Sequence, residues 1–179
     1  ITWETTTTYN VGVDFGFCDD RISGNVDAYL RNTTDLLNNV ITPMGANFGN
    51  QILTNIGSMQ NKGIEFSLNV VPVQTKDWHL SIGFNGTFQD TKITKLNTSD
   101  DPRYMEQVVD IEKGTGSKFS FHKVGYAPYT YYPYQQLYDS NGKPIQNAFV
   151  DRDGDGKISE LDRYESGKSP IPGFYYGLN

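Results

Sequence analysis

Four stretches of this 179-residue chain alternate apolar and polar side chains one for one over about ten positions each. In the clearest, Trp78, Leu80, Ile82, Phe84, Gly86 and Phe88 fall on one side, and His79, Ser81, Gly83, Asn85 and Thr87 on the other. A period of two is the mark of a β-strand with one apolar and one polar face. Likewise Tyr9, Val11, Val13, Phe15 and Phe17 oppose Asn10, Gly12, Asp14 and Gly16, and Ile22, Gly24, Val26, Ala28 and Leu30 oppose Ser23, Asn25, Asp27 and Arg31. The fourth stretch sets Ile64, Phe66, Leu68 and Val70 against Glu65, Ser67 and Asn69. Such strands suit either a soluble sandwich or a membrane barrel whose outside meets lipid.

Length separates the two. Strands of soluble proteins most often run to about 5–6 residues, whereas a tilted strand crossing a bilayer needs roughly 9–11. The four stretches match the longer class. Their polar faces are rich in Gly, Asn, Ser and Asp, which fit a hydrated lumen better than the outer surface of a soluble sheet. Only 36% of the chain is hydrophobic and its mean hydropathy is -0.55. No window approaches the roughly 18 consecutive apolar residues of a membrane helix, so a helical membrane protein is excluded and a barrel is not. Twelve Tyr and ten Phe fit the aromatic girdles of barrels. A net charge of -6 argues against nucleic acid as a partner.

The connections alternate in length. Cys18 to Arg21 is a tight turn, about 33–61 is a long connection containing Pro43, Gly45, Gly49 and Gly57, Pro72 to Asp77 is short, and about 95–170 is very long before a last strand-like stretch at Phe174 to Leu178. Barrels of the outer membrane have short turns on the periplasmic rim and long loops outside. The expected fold is therefore all-β: an antiparallel transmembrane segment of about four or five strands, residues 1–179 forming part of one barrel domain. Four or five strands cannot close a barrel, and an open edge cannot sit in lipid. With no initiator Met and no signal peptide at Ile1, the chain is expected to be an internal piece.

Two segments of the last connection carry chemistry. Phe119 to Tyr138 is dense in rings, with Pro128 and Pro133 as stiffeners. These rings fill the loop's own core or line the wall, or alternatively stack on sugars or pack on a partner. Asp151-Arg-Asp-Gly-Asp-Gly-Lys-Ile-Ser-Glu-Leu-Asp162 has the spacing of a calcium loop. Carboxylates at positions 1, 3 and 5, wrapped by a sharp glycine turn, converge on one point. The expected ligands are Asp151, Asp153 and Asp155 through side chains, Lys157 through its carbonyl, and Asp162 at position 12, where a Glu is more usual. Ser159 contributes directly or through water. No flanking helices are expected, so this is a lone loop with a structural Ca2+.

Nothing points to an enzyme. His79 and His122 stand alone, there is no paired zinc spacing, no phosphate loop and no nucleophile elbow. Cys18 cannot form an internal disulfide and has no candidate base beside it in sequence. The sequons at Asn32, Asn85 and Asn97 are chance matches in a chain of bacterial type.

Three motifs in order resemble the SusC/RagA-type TonB-dependent outer-membrane transporters: Trp3-Glu-Thr-Thr-Thr-Thr-Tyr-Asn-Val-Gly-Val-Asp-Phe, then Asn55-Ile-Gly-Ser-Met-Gln-Asn-Lys-Gly-Ile-Glu-Phe-Ser-Leu-Asn, then Asp151-Arg-Asp-Gly-Asp-Gly-Lys-Ile with Pro170-Ile-Pro-Gly-Phe-Tyr-Tyr-Gly-Leu-Asn. The resemblance implies a 22-stranded barrel around a plug, this chain lying in its later half without plug or TonB box. It implies import of large nutrients, oligosaccharides or sometimes peptides, with energy from TonB, a SusD-like lipoprotein as lid, and a place in the lipid of a Gram-negative outer membrane. Tyr129, Tyr131, Tyr132 and Tyr134 are then the candidate contacts to substrate or lid. The competing expectation is a secreted β-sandwich that binds glycans and is pinned by calcium.

Overall fold

Alternation over so many residues becomes one sheet of long strands. The computed structural model describes residues 1–41, 51–96, 106–109 and 119–179. β1 (Thr5–Phe17), β2 (Ile22–Ile41), β3 (Gln51–Gln74), β4 (His79–Lys95) and β10 (Phe174–Leu178) form a five-stranded sheet in the order β1-β2-β3-β4-β10. Every neighbouring pair in it is antiparallel.

The register keeps both faces intact across all five strands. On the dry side Val26 faces Phe66 and Phe66 faces Gly86, which faces Tyr176. On the wet side Gly12 faces Asp27, Asp27 faces Glu65, and Glu65 faces Thr87, which faces Tyr175. A slip of one residue anywhere would mix the faces. The dry face carries a belt of rings: Phe88 stacks on Phe174 at 4.3 Å, and Phe66 lies 5.5 Å from Phe84. It ends toward the long connections at Lys62, Asp90 and Lys92, where Asp90 pairs with Lys92 at 3.1 Å and Lys62 at 4.0 Å. Charges there bound an apolar band about nine residues tall, roughly what a tilted strand needs to cross hydrocarbon.

The apolar band has no core behind it. Tyr9, Val11 and Val13 are 64%, 73% and 65% exposed. A soluble globular monomer of 20.1 kDa would expose about 8,700 Å²; this chain exposes 12931 Å². Among the described residues the elements in contact are paired strands, with no second sheet packed face to face on the first, so the sandwich architecture is not what forms.

The short connections are built as expected. Cys18, Asp19 and Asp20 all take positive φ in the first turn, with the Arg21 N–H donating to the Cys18 carbonyl at 3.3 Å. Thr75 closes the second, its N–H donating to the Trp78 carbonyl at 2.7 Å. The expected connection at 33–61 is mostly strand instead, because β2 and β3 continue pairing up to Ile41 and Gln51. Its threonines, asparagines and small residues, read as loop, suit a strand with water on both faces. A bulge at Asp35, whose φ is 58°, interrupts that ladder, and the Asn55 amide holds it by donating to the Asp35 carbonyl at 2.6 Å. Pro43, Gly45, Gly49 and the Asn97 sequon lie outside the described residues.

The connection at 95–170 is not structureless either. It leaves β4, folds as β5 (Glu106–Val109), β6 (Ser120–Lys123), β7 (Thr130–Tyr131), β8 (Gln136–Tyr138) and β9 (Pro144–Phe149), and returns to pair with β4 as β10. Phe121, Ser120, Thr130 and Asp162 are fully buried there. The excursion is anchored on the upper edge of β4, where the Ile93 N–H donates to Tyr126 and the Gly125 N–H returns to Ile93.

Candidate functional site

The acidic loop closes through its own backbone. Asp151 accepts from the Gly154 N–H at 2.7 Å and from the Gly156 N–H at 2.8 Å, while Asp155 accepts from the Lys157 N–H at 2.7 Å. Gly154 and Gly156 have φ of 76° and 81°, a region where a side chain is strained. The turn brings one oxygen from each of Asp151, Asp153 and Asp155 within 4.8 Å of the others. The Asp155 N–H favours ionised Asp153, but desolvation and the charges of Asp155, Asp162 and Asp151 outweigh it and hold that carboxyl above its ordinary range.

Asp162 stands apart from this cluster. It ends a 3-10 turn at Glu160–Asp162 capped by Ser159, and its carboxylate accepts from the N–H groups of Ser159 and Arg152, each at 2.7 Å, and of Asp153 at 3.4 Å. The bonds from Ser159 and Arg152 push it below the usual carboxylate range. The structure thus gathers three of the expected side-chain ligands and gives the fourth a role in closing the loop.

The expected tyrosines are not one platform. Tyr132 meets Phe121 edge-on at 5.7 Å, and Tyr134 packs 5.5 Å from Phe149 with the Arg163 guanidinium 4.8 Å over its face. The Tyr131 backbone bonds Lys168 and Ser166. These three organise the loop. Tyr129 is 43% exposed, meets His122 edge-on at 4.7 Å, and lines a cavity of about 280 Å³ with Leu36, Met59 and Pro128. Burial lowers the His122 pKa.

A second group of side chains lies on the wet face of the sheet and was not singled out as a site by the sequence. Asp27, Tyr29, Arg31, Asn61, Glu65 and Gln89 line a polar cleft of about 490 Å³. Asn61 donates to Thr91 at 2.5 Å and Gln89 at 3.3 Å, and Gln89 donates to the Pro172 carbonyl at 2.9 Å. Above it a cavity of about 430 Å³ shares Arg31 and Asn61 with the cleft, and Met59 with the cavity at Tyr129.

Residues 1–165 match the family model for the TonB dependent receptor-like β-barrel. The chain belongs to that family. It is 50% identical to the TonB-dependent receptor SusC of Bacteroides thetaiotaomicron over 90% of its own length, and 30% identical to the TonB-dependent receptor P3 of Formosa agariphila over 99%. Among solved structures it superimposes on the RagAB peptide transporter with a TM-score of 0.74 at 26% identity, covering 99% of this chain. It is thus a SusC/RagA-type receptor barrel segment. The chain spans 16% of SusC and 19% of both P3 and the RagAB chain. TonB-dependent receptors of this type are outer-membrane β-barrel proteins of Gram-negative bacteria, and these relatives are receptors and transporters rather than enzymes.

Proposed function

We propose that this segment forms part of the wall and outer cap of an outer-membrane importer that takes up oligosaccharides with TonB-derived energy, under a SusD-like lipoprotein lid. Half-identity to SusC over nine-tenths of the chain is the observation that carries this reading. The dry band then meets lipid, the wet face lines the lumen, and the folded excursion between β4 and β10 stands outside the cell. TonB acts through parts of the protein beyond this segment. Peptides are the second substrate class, favoured by the likeness to a peptide transporter at 26% identity.

Deleting the gene, or the energy-coupling TonB, is expected to abolish growth on one oligosaccharide that the parent strain imports. Unchanged growth on every oligosaccharide used by the parent would refute the reading. Sidedness has its own test. Cys18 is exposed in a short turn, so a membrane-impermeant maleimide should reach it only after the outer membrane is permeabilised, whereas Asn141→Cys in a Cys18→Ser background should label in intact cells.

We also propose a structural Ca2+ in the acidic loop. The Asp151, Asp153 and Asp155 carboxylates with the Lys157 carbonyl supply the hard oxygens such an ion takes, and its charge would relieve their mutual repulsion. Asp162 then holds the loop closed around them.

A further inference from the structure

We infer that Lys62, Lys92 and the apolar groove beneath them on the dry face seat one phosphorylated acyl lipid of the outer leaflet, its phosphate on the two ammonium groups and an acyl chain in the groove. The inference rests on the reading above that the dry band meets lipid and the long connections stand outside the cell. That face turns away from the lumen, so neither a plug nor other strands of the same barrel cover it.

Charge is the first reason. Lys62 and Lys92 belong to the dry series of their strands, two residues beyond Ile64 and four beyond Phe88. Register sets Lys62 directly opposite Asp90 and Lys92 opposite Gln60. A single Asp90 oxygen draws both ammonium groups, Lys92 at 3.1 Å and Lys62 at 4.0 Å. One carboxylate neutralises one of two cations, so the trio keeps a surplus positive charge. Each ammonium carries three N–H donors, and Asp90 occupies at most one on each. A lysine that merely snorkels from lipid to water needs no such anchor. Here the shared carboxylate holds two half-exposed ammonium groups side by side at headgroup height. A phosphate, with several charged oxygens to spread over both, is the anion that fits.

Depth is the second. A groove of about 610 Å³ runs down from the trio, lined by Leu30, Ile64 and Phe88 with Lys62 and Asp90 at its upper end. Ile64 and Phe88 are 50% and 53% exposed, apolar surface that hydrocarbon would cover. A ligand whose anion meets Lys62 therefore passes straight into an apolar lining. A lipid has its groups in that order, phosphate at the headgroups and acyl chain below, whereas inorganic phosphate has nothing to place in the groove. A second copy of the chain is disfavoured by the same trio. Meeting this face about an axis normal to the membrane, it would bring the same surplus positive charge to the same height, and the two would repel.

The full-length transporter, stripped of lipid in detergent, would be titrated with monophosphoryl lipid A, with the same lipid dephosphorylated and with inorganic phosphate, and the bound molecules counted by native mass spectrometry. The parent should retain the phosphorylated lipid. Lys62→Gln with Lys92→Gln should weaken the binding of one such lipid tenfold or more, with heat-modifiable gel migration unchanged. Lys62→Arg with Lys92→Arg should keep it, and Lys76→Gln, in the short turn at the opposite rim, should leave it alone. Undiminished retention by the double Gln variant overturns the site, and so does equal retention of the dephosphorylated lipid by the parent. Inorganic phosphate that displaces the lipid at equal concentration overturns the role of the groove. A parent that is dimeric in detergent and monomeric as the double Gln variant, with lipid retention unchanged, gives the face to a second copy and also overturns it. Sidedness is read separately from the maleimide labelling: Cys18 labelled in intact cells fails that reading and the outer-leaflet source with it, whereas the expected labelling with undiminished retention fails this site alone.

Discussion

Gly86 seats the Phe66 ring on the dry face, and Gly86→Ala should destabilise the barrel by about 1–3 kcal/mol, the usual cost of overpacking. The opposite sign would follow from backbone entropy, since Ala for Gly in a strand normally gains roughly 0.5–1 kcal/mol. Packing decides between them. A Cβ at position 86 would lie 2.6 Å from Phe66 Cζ and 2.7 Å from Cε1, against about 3.5–4.0 Å for relaxed carbon contacts. The ring must retreat by roughly 1 Å, and it cannot do so freely. Phe84 and Phe88 hold it at 5.5 and 6.4 Å, and Phe174 lies 3.5 Å from the same Cβ position. Loosening those pairs forfeits about 0.5–1.5 kcal/mol each, enough to exceed the entropic gain. Gly83 on the same strand is the control, because its added Cβ meets nothing closer than Asn179 at 3.5 Å. The full-length protein in detergent would be followed by the temperature at which its folded gel band is lost. Gly86→Ala should lower that midpoint and Gly83→Ala should not. In a Phe66→Leu background the cost of Gly86→Ala should fall by about 1 kcal/mol or more, a coupling expected only of touching residues. A Gly86→Ala protein as stable as the parent, or an undiminished cost without the Phe66 ring, would refute the reasoning.

Asp162→Ala should open the excursion between β4 and β10 to limited proteolysis roughly tenfold faster or more, since three backbone N–H groups lose their acceptor; digestion of the intact protein at the parent rate would count against it. The Asp162 pKa is lowered on folding, so its contribution is present above the ordinary carboxylate value, about 3.9, and is lost as pH falls from there through the lowered folded-state value; protection should weaken below about 3.9 in the parent and be flat in Asp162→Ala. Asp153 carries the reverse sign, its raised pKa disfavouring the ionised loop, so Ca2+ affinity by calorimetry should fall as pH drops toward that range, and Asp153→Asn with Asp155→Asn should abolish binding. Glu165 is held low by hydrogen bonds from Lys123 and Tyr126, and Glu165→Gln should cost less than about 1 kcal/mol, as a partly exposed pair does, read as a small drop in the same thermal midpoint.

The strands were legible because their information is local. Alternation from Ile22 to Leu30 and from Leu80 to Phe88 needs only a period, and the structure pairs those residues face to face as the period requires. Where the local signal weakened, so did the reading. Just beyond Leu30 both faces are polar, so the stretch from about Thr33 was read as a connection although Thr33 and, past the bulge, Leu36 to Ile41 continue β2 against β3. Only pairing with Gln60 and Met59, nearly thirty residues away, makes that strand. The acidic turn was equally local, down to the two glycines. Asp162 was less local: a spacing of eleven marks it for the loop, and only the structure shows its carboxylate on the backbone N–H groups of Ser159, Arg152 and Asp153. The tyrosines were legible only as a ring-dense stretch, since composition cannot say which rings a loop spends on its own core.

The polar cleft shows why a barrel's chemistry is harder to find than its fold. Asp27, Glu65, Asn61 and Gln89 were each visible as members of a wet face, and membership of a face was taken as their whole meaning. Side chains from three strands line one cleft only when register sets Asp27 against Glu65 and Asn61 next to Gln89. Register is fixed mainly by the other face, where a one-residue slip would turn Phe66, Phe84 and Phe88 into the water. The belt of rings against lipid therefore does more than hold the sheet in the membrane. By allowing a single alignment of β2, β3 and β4, it places the polar groups of the lumen wall opposite one another, and loosening Phe66 over Gly86 should disturb the cleft on the far side of the sheet.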